Sequence, residues 1–395
     1  MSLKRQLAVS FGLQGVGAAA VLLATLLLGA RLGPEVQGAF SRTKAEIEFV
    51  AAFAMFGLPQ ALFFYVKSGG LSGRVARRWA LGCALLALPL AAIYAAWRHA
   101  GEGAEVLALL SLAVAAAVAH GQLRALLLVR ERTAWFNVMT ALPQVLVLLG
   151  VLHVIARGAA SEHAWPALFA LAFAVAAVIS WARLRTTIDT PLAEQVRWRA
   201  LGHYGMAAWL SAALSTAAIL LVQRWVETGQ GSAALGRFTM AMTLVQVPLT
   251  PIAYAAPLLL RRWMEQPGAR ASQRVAGAVF GLLLASAALV WAFAGLWPDL
   301  GLGAAYANAT GALAVLLAGG AAEAASRVLT VQASATGLPW IAVRAEAARW
   351  AVLAAGWLAW PAPGLLAVCA IWAMGAWAAG GVFVWHARAV STRVG

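Results

Sequence analysis

Apolar stretches of about twenty residues or more recur along the whole chain, with only short polar connections between them. Nothing else in the sequence restricts the fold as strongly. In lipid, every backbone N–H and C=O must find its partner inside the protein, which leaves only helices and closed barrels. The stretches are continuous rather than alternating, so they predict helices instead of barrel strands. Composition excludes the soluble classes. Of 395 residues, 63% are hydrophobic and 11% charged, whereas a soluble domain carries about 25% charge. Such a chain could not cover its own surface with polar groups, and the same numbers exclude disorder and coiled coil. The expected fold class is all-α: a polytopic membrane protein of about 12 transmembrane helices.

The apolar runs place helices near 7–30, 39–66, 78–97, 104–128, 134–156, 164–183, 201–226, 236–260, 273–296, 304–333, 339–360 and 364–387. The longest polar stretch, 184–200, falls mid-chain. It predicts an N-lobe at 1–190 (helices 1–6) and a C-lobe at 191–395 (helices 7–12). Lys4 and Arg5 precede an apolar stretch reaching Ala30, too long for a signal-peptide core, so it is read as the first span. With the N-terminus in the cytoplasm, all but seven of the 29 Lys and Arg fall on the cytoplasmic side. The seven are Arg31, Arg42, Lys44, Arg98, Arg157, Arg224 and Arg237. Acidic residues show no such bias, as the cation-only topology rule predicts. Both termini are then cytoplasmic. The net charge of +15 reads as positive-inside loops beside membrane lipid, not as a nucleic-acid footprint. Trp79, Trp97, Trp135, Trp165, Trp181, Trp263, Trp297 and Trp385 lie near expected helix ends, as an aromatic belt would.

An internal repeat appears when the chain is shifted by 198 residues. Gly38-Ala39-Phe40 falls on Gly236-Arg237-Phe238, Pro59 on Pro257, and the helices at 78–97 and 104–128 on those at 273–296 and 304–333. Six helices per half is an even number, so the halves share one orientation and are related by an axis along the membrane normal. That symmetry places a pathway at the interface between them.

Candidate functional residues are the charges within or beside spans, because each costs about 2.5–3.5 kcal/mol to insert. Arg42/Glu46 and Lys44/Glu48 are i,i+4 pairs about 200° apart on one helix. They are either solvated interfacial pairs, or one lines a polar cavity. Arg224, Glu227 and Arg237 occupy the matching corner of the second half. Arg31, Arg42 and Lys44 opposed to Arg224 and Arg237 would suit an anion, above all a pyrophosphate; the alternative is snorkelling at the outer ends. Nearer the cytoplasm stand Arg124, Glu323 and Arg327, the last two at i,i+4. An acid at 323 does nothing for topology and could carry a proton or cation in coupled transport. Pro59 and Pro257 are hinge candidates, or static kinks. No phosphate-binding loop G-x-x-x-x-G-K-[ST] and no metal-ligand constellation is present, so no cofactor or metal is expected. No loop is long enough for a catalytic domain, so transport is expected rather than enzymatic catalysis.

Residues 24–69 contain Leu32-Gly33-Pro34-Glu35, then Gly38-x-Phe40, then Gly57-Leu58-Pro59-x-Ala61. This pattern, with Leu235-Gly236-Arg237-Phe238 and Val129-Arg130-Glu131-Arg132, resembles bacterial Wzx-type oligosaccharide (O-antigen and polysaccharide) flippases. These form one branch of the multidrug/oligosaccharidyl-lipid/polysaccharide (MOP) exporter superfamily. The resemblance implies a V-shaped pair of lobes around a cationic cavity lined by helices 1, 2, 7 and 8. It implies alternating access in the bacterial inner membrane, moving an undecaprenyl-pyrophosphate-linked oligosaccharide from the cytoplasmic to the periplasmic leaflet. Implied partners are that lipid-linked glycan, H+ or Na+ as coupling ion, and a polysaccharide polymerase with its chain-length regulator. Relatives often carry an acid at the end of helix 7; here the stretch is Val222-Gln223-Arg224-Trp225, so that role is either missing or passes to Glu227. The chain is also shorter than fourteen-helix lipid II flippases and most multidrug members. The alternatives are a small-molecule exporter of the same superfamily or a major facilitator. The facilitator loop signature is only partly matched by Gly69-Gly70-Leu71-Ser72-Gly73-Arg74-Val75-Ala76-Arg77-Arg78, which lacks its Asp.

Overall fold

The computed structural model describes residues 3–67, 72–129, 133–158, 161, 163–185, 198–265, 269–296, 299–300, 302–306, 309–361 and 363–394. Helices α1 (Leu3–Ala54), α2 (Leu58–Lys67), α3 (Gly73–Arg98), α4 (Ala104–Val129), α5 (Thr133–Arg157) and α6 (Ala164–Arg185) come first. They are followed by α7 (Trp198–Gln230), α8 (Ser232–Glu265), α9 (Ala269–Phe293), α10 (Ala309–Ala335), α11 (Trp340–Ala359) and α12 (Leu365–Val394), with a 3-10 turn at Ala304–Tyr306 before α10. The described residues hold no strand, in agreement with the all-α expectation. Nine of the described segments are long and apolar enough to cross a membrane. Two expected spans merge within the single segment Val9–Ala54, and neither α8 nor α11, the latter diluted by Arg344, Glu346 and Arg349, is among the nine.

Several expected loops and breaks fall elsewhere. The sequence suggests a connection over 31–38, but α1 runs straight through it and turns only at Gly33, whose φ of 84° no L side chain adopts cheaply. Pro34 then opens the next helical segment, where its missing N–H costs nothing. The same one-residue elbow joins α7 to α8 at Gly231, with φ 83°. Gly231 lies 198 residues after Gly33, so the two elbows are repeat mates. Conversely, the helix expected over 39–66 is broken at 55–57, where Phe56 (φ 48°) and Gly57 (φ 64°) both enter the left-handed region. The freed carbonyls are occupied. Trp209 Nε1 donates to Phe53 O at 2.7 Å and Gln122 Nε2 to Met55 O at 3.3 Å. Gly57 is required there as well, since a Cβ would collide with the Gly205 carbonyl oxygen.

The chain divides into two compact units. One is Met1–Ala24 with Arg42–Thr216; the other is Thr25–Ser41 with Ala217–Gly395. The expected lobe boundary at 190/191 lies outside the described residues. In the first unit, α4 packs against α2, α3, α5 and α6; in the second, α10 packs against α8, α9, α11 and α12. These are the most enclosed spans, with 56% of the apolar window buried in α4 and 67% in the segment containing α10. They are also repeat mates, so each unit is assembled around the same helix. Leu123, Leu126, Leu127 and Met139 anchor the first core, while Leu316, Val328, Phe238 and Leu235 anchor the second.

Within the second unit the repeat closes on itself. A Cβ on Gly38 would meet Ser232 O at 2.5 Å, and a Cβ on Gly236 would collide with Pro34 O. Pro34 maps onto Ser232, and Gly38 onto Gly236. Reciprocal contacts of this kind arise where an element meets its own mate across a local two-fold axis. Replacing Gly236 by Ala should therefore destabilise the protein by roughly 1–3 kcal/mol, the cost typical of overpacking, read as a lower melting temperature in detergent. Gly12→Ala, with open space around its Cβ, should cost nothing measurable.

Candidate functional site

Each of the two central helices carries polar groups that must be kept from lipid. In the first unit α4 presents His120, Gln122 and Arg124. His120 and Gln122 are buried and Arg124 half-buried. Arg124 NH1 donates to Thr140 Oγ1 at 3.3 Å, and its guanidinium carbon lies 5.3 Å from the Phe136 ring centroid. Its Nε has no hydrogen-bond partner, and no carboxylate among the described residues pairs with it. His120 stands one turn earlier, its ring 5.9 Å from that of Phe173 and its Nδ1 likewise without a partner. Among the described residues, a guanidinium and an imidazole are thus held in the unit's core by neutral neighbours.

The second unit treats its buried cations differently. Glu323 on α10 accepts from Arg327 Nε at 3.1 Å and from Arg349 NH2 on α11. Arg349, only 2% exposed, also brings Nε to 3.5 Å from Glu346 and lies over the Trp372 ring at 5.2 Å. Gly375 makes room for it, since a Cβ there would touch Arg349 Cγ at 3.2 Å. Two glutamates and two arginines give formal neutrality, and Glu323 is occupied by guanidinium on both oxygens. Desolvation that would be prohibitive for one charge is offset by pairing.

The remaining candidates are distributed as follows. Lys44 and Glu48 form their expected i,i+4 pair at 3.7 Å, partly exposed. Glu46 is almost fully buried, and its contacts run to α3 and the residue that caps it: His99 Nε2 at 3.0 Å and Arg98 Nε at 3.6 Å. Arg42 is half-buried one turn before it. Arg31 is exposed on α1; Arg224, Glu227 and Arg237 are half-buried near the α7–α8 elbow. Arg31, Arg224, Arg237, Glu227, Glu323 and Arg327 belong to the second unit, and Arg42, Lys44, Glu46, Glu48 and Arg124 to the first. Pro59 is the second residue of α2, just past the break at 55–57. Pro257 sits inside α8, which runs on past it, and its side chain lies outside the described ones. Among the described residues no cluster of His, Cys, Asp and Glu could hold a metal ion.

Sequence reasoning weighs charges and passes over neutral polar groups. Asn137 on α5 accepts from Gln14 on α1 and donates to Ser10 Oγ at 2.8 Å, all three buried. Tyr306 donates to Gln37 Oε1 at 2.5 Å, with both residues fully buried and Gly29 leaving space beside them. The signal that marks such groups is an isolated amide in an apolar run, as at Gln14 and Asn137; Gln37, beside a Gly-Pro, carries no such signal.

No family model matches the sequence, and no curated protein sequence matches it. Solved structures do. A MOP superfamily transporter from Pyrococcus furiosus, described by the reverse polarity of its binding pocket, aligns with a TM-score of 0.71 at 16% identity, covering 98% of this chain and 96% of that one. A mutant of the Vibrio cholerae MATE transporter VcmN aligns at 0.64 and 18% identity over 99% and 97% of the two chains. The lipid II flippase MurJ, in an inward closed conformation, aligns at 0.72 and 10% identity over 96% and 87%. The likeness is one of fold: this chain has the fold of MOP superfamily transporters. Its length is no obstacle to the multidrug likeness, because nearly all of the Vibrio chain is matched.

The contrast between paired and solvated charges can be measured. Glu323→Gln leaves Arg349 buried without a full counter-charge and should cost about 3–5 kcal/mol of stability. Glu48→Gln removes a surface pair and should cost about 0–1 kcal/mol. Thermal unfolding in one detergent compares the two directly.

Proposed function

We propose that this transporter fold serves as a flippase. It moves undecaprenyl-pyrophosphate-linked oligosaccharide from the cytoplasmic to the periplasmic leaflet of the bacterial inner membrane, by alternating access, for surface polysaccharide (O-antigen) biosynthesis. The supporting observation is Arg124, a guanidinium inside a spanning helix whose partners are a hydroxyl and an aromatic face. Such a cation gains most from an anionic ligand, and a diphosphate linker presents paired oxygens in the geometry a guanidinium binds. The sequence-level excess of cations over acids points the same way, as does the fold likeness that extends to a lipid II flippase.

In this reading the lobes are 1–190 and 191–395, and both termini face the cytoplasm. Arg31, Arg42, Lys44, Arg124, Arg224, Arg237 and Arg327 supply the cationic path. Glu46, Glu48, Glu227 and Glu323 are the groups through which H+ or Na+ would act, with Pro59 and Pro257 as hinges. No covalent bond of the cargo is made or broken, and a polymerase with its chain-length regulator would receive the product. Export of small molecules is the second reading, favoured by the MATE transporters whose fold this chain matches almost end to end.

Lipid-linked glycan in the two leaflets of a deletion strain decides between them. The flippase reading expects intermediates to accumulate in the inner leaflet while surface glycan falls. Arg124→Ala should reduce complementation about 10- to 100-fold, as expected for loss of a charge-assisted contact of about 1.5–3 kcal/mol, with Arg124→Lys intermediate. Normal pools together with altered drug tolerance would establish the exporter instead.

A further inference from the structure

His99 is the C-cap of α3, and its backbone N–H closes the helix on Ala95 O. Its side chain lies between two carboxylates from different elements. Nδ1 is 2.7 Å from Glu102 Oε1 in the following turn, and Nε2 is 3.0 Å from Glu46 Oε2 on α1. His99 is 8% exposed and Glu46 2%, while Glu102 is open to solvent at 38%. A neutral imidazole carries one N–H and can donate to one carboxylate only. Satisfying both at these distances requires the imidazolium. A second, independent feature favours the same form, because the end of a helix attracts a cation through its unpaired carbonyls.

We propose that His99, Glu46 and Glu102 form a proton-binding latch. One bound proton ties the 42–54 segment of α1 to the α3–α4 turn, on the face that carries the fewer cations and is read as non-cytoplasmic. Loss of the proton turns one of the two hydrogen bonds into a contact between lone pairs, so the imidazole no longer joins the two carboxylates and the tie is weakened. The other charged or titratable groups facing this site are Arg98, 3.6 Å from Glu46, and Tyr94, whose ring packs on Phe49 of α1. Arg42 lies one helical turn before Glu46. Arg98 leaves Glu46 a second cationic neighbour besides His99. The hydrogen bond to Glu46 is the largest influence on His99 and holds its pKa above the ordinary histidine value. Burial opposes this, and Glu102 reinforces it. With a raised folded-state pKa, the stabilisation is complete below the unfolded value near 6.5 and is lost as pH rises through the raised folded value. The latch therefore holds in acid and weakens in base. It depends on no assumption about the cargo.

The test uses the full chain in nanodiscs with ring-labelled histidine. NMR titration follows the six histidines, and the His99 signal is the one missing from His99→Gln. The expected result is an imidazolium that persists above the ordinary histidine range. Glu46→Gln should lower its pKa by about 1 unit or more, and Glu102→Gln by less. Melting temperature should fall with rising pH in the same window for the wild type and show no such step in His99→Gln. If Glu46→Gln does not fold, the Glu102→Gln titration and the wild-type pKa still decide. An ordinary wild-type pKa, or one that neither carboxylate variant moves, overturns the latch. Because neither readout involves transport, the latch and the flippase reading fail separately.

Discussion

Hydrocarbon offers the backbone no hydrogen-bond partner, and the rest of this structure follows from that lack. Each departure from helix has to be brief or internally compensated. The elbows at Gly33 and Gly231 use one residue each, because a left-handed glycine can reverse the chain where a longer loop would leave several groups unpaired. The break at 55–57 is longer, and side chains from α7 and α4 take up its carbonyls, through Trp209 and Gln122. The requirement also explains the close crossings. Gly38 and Gly236 bring helical segments to backbone contact, where small residues let van der Waals packing replace the hydrophobic drive that lipid removes.

Charge obeys the same logic at higher cost. Both central helices hold ionisable groups away from lipid, yet they settle them differently. Glu323, Arg327, Arg349 and Glu346 neutralise one another, so the second unit holds a closed network on α10 and α11. Arg124 on α4 has only neutral partners among the described residues. Helices related by a repeat thus carry a balanced network in one unit and, in the other, a guanidinium whose described partners are neutral. A balanced network suits structure; an unbalanced cation is chemistry waiting for an anion. This asymmetry supports reading Arg124 as part of a substrate path and Glu323 first as a counter-ion.

Much of the architecture is legible in the residues. Continuous apolar runs fix the helical class, since their length matches a bilayer and their pattern excludes alternation. The 198-residue offset, seen in a few matches such as Gly38 with Gly236, corresponds to a real reciprocal contact. The elbows read as loops because Gly-Pro and Gly-Ser ordinarily punctuate turns, and nothing local shows that helix resumes one residue later. The site is less legible. By spacing Glu46 looks like a partner within its own helix, yet it also reaches His99 and Arg98, more than fifty residues on. Sequence spacing registers neighbours along a helix and is blind to neighbours across it.

The sequence by itself determined that this chain spans a membrane as helices and that its two halves repeat. Both follow from free energies that sum over local residues: the transfer of apolar side chains and the internal pairing of backbone groups. Tertiary structure alone decided which charges are neutralised and which glycines meet. It also decided which histidine stands between two carboxylates. Those outcomes depend on distances of about 3–4 Å between residues far apart in the chain, where Coulomb and hydrogen-bond energies in a low dielectric change steeply with position.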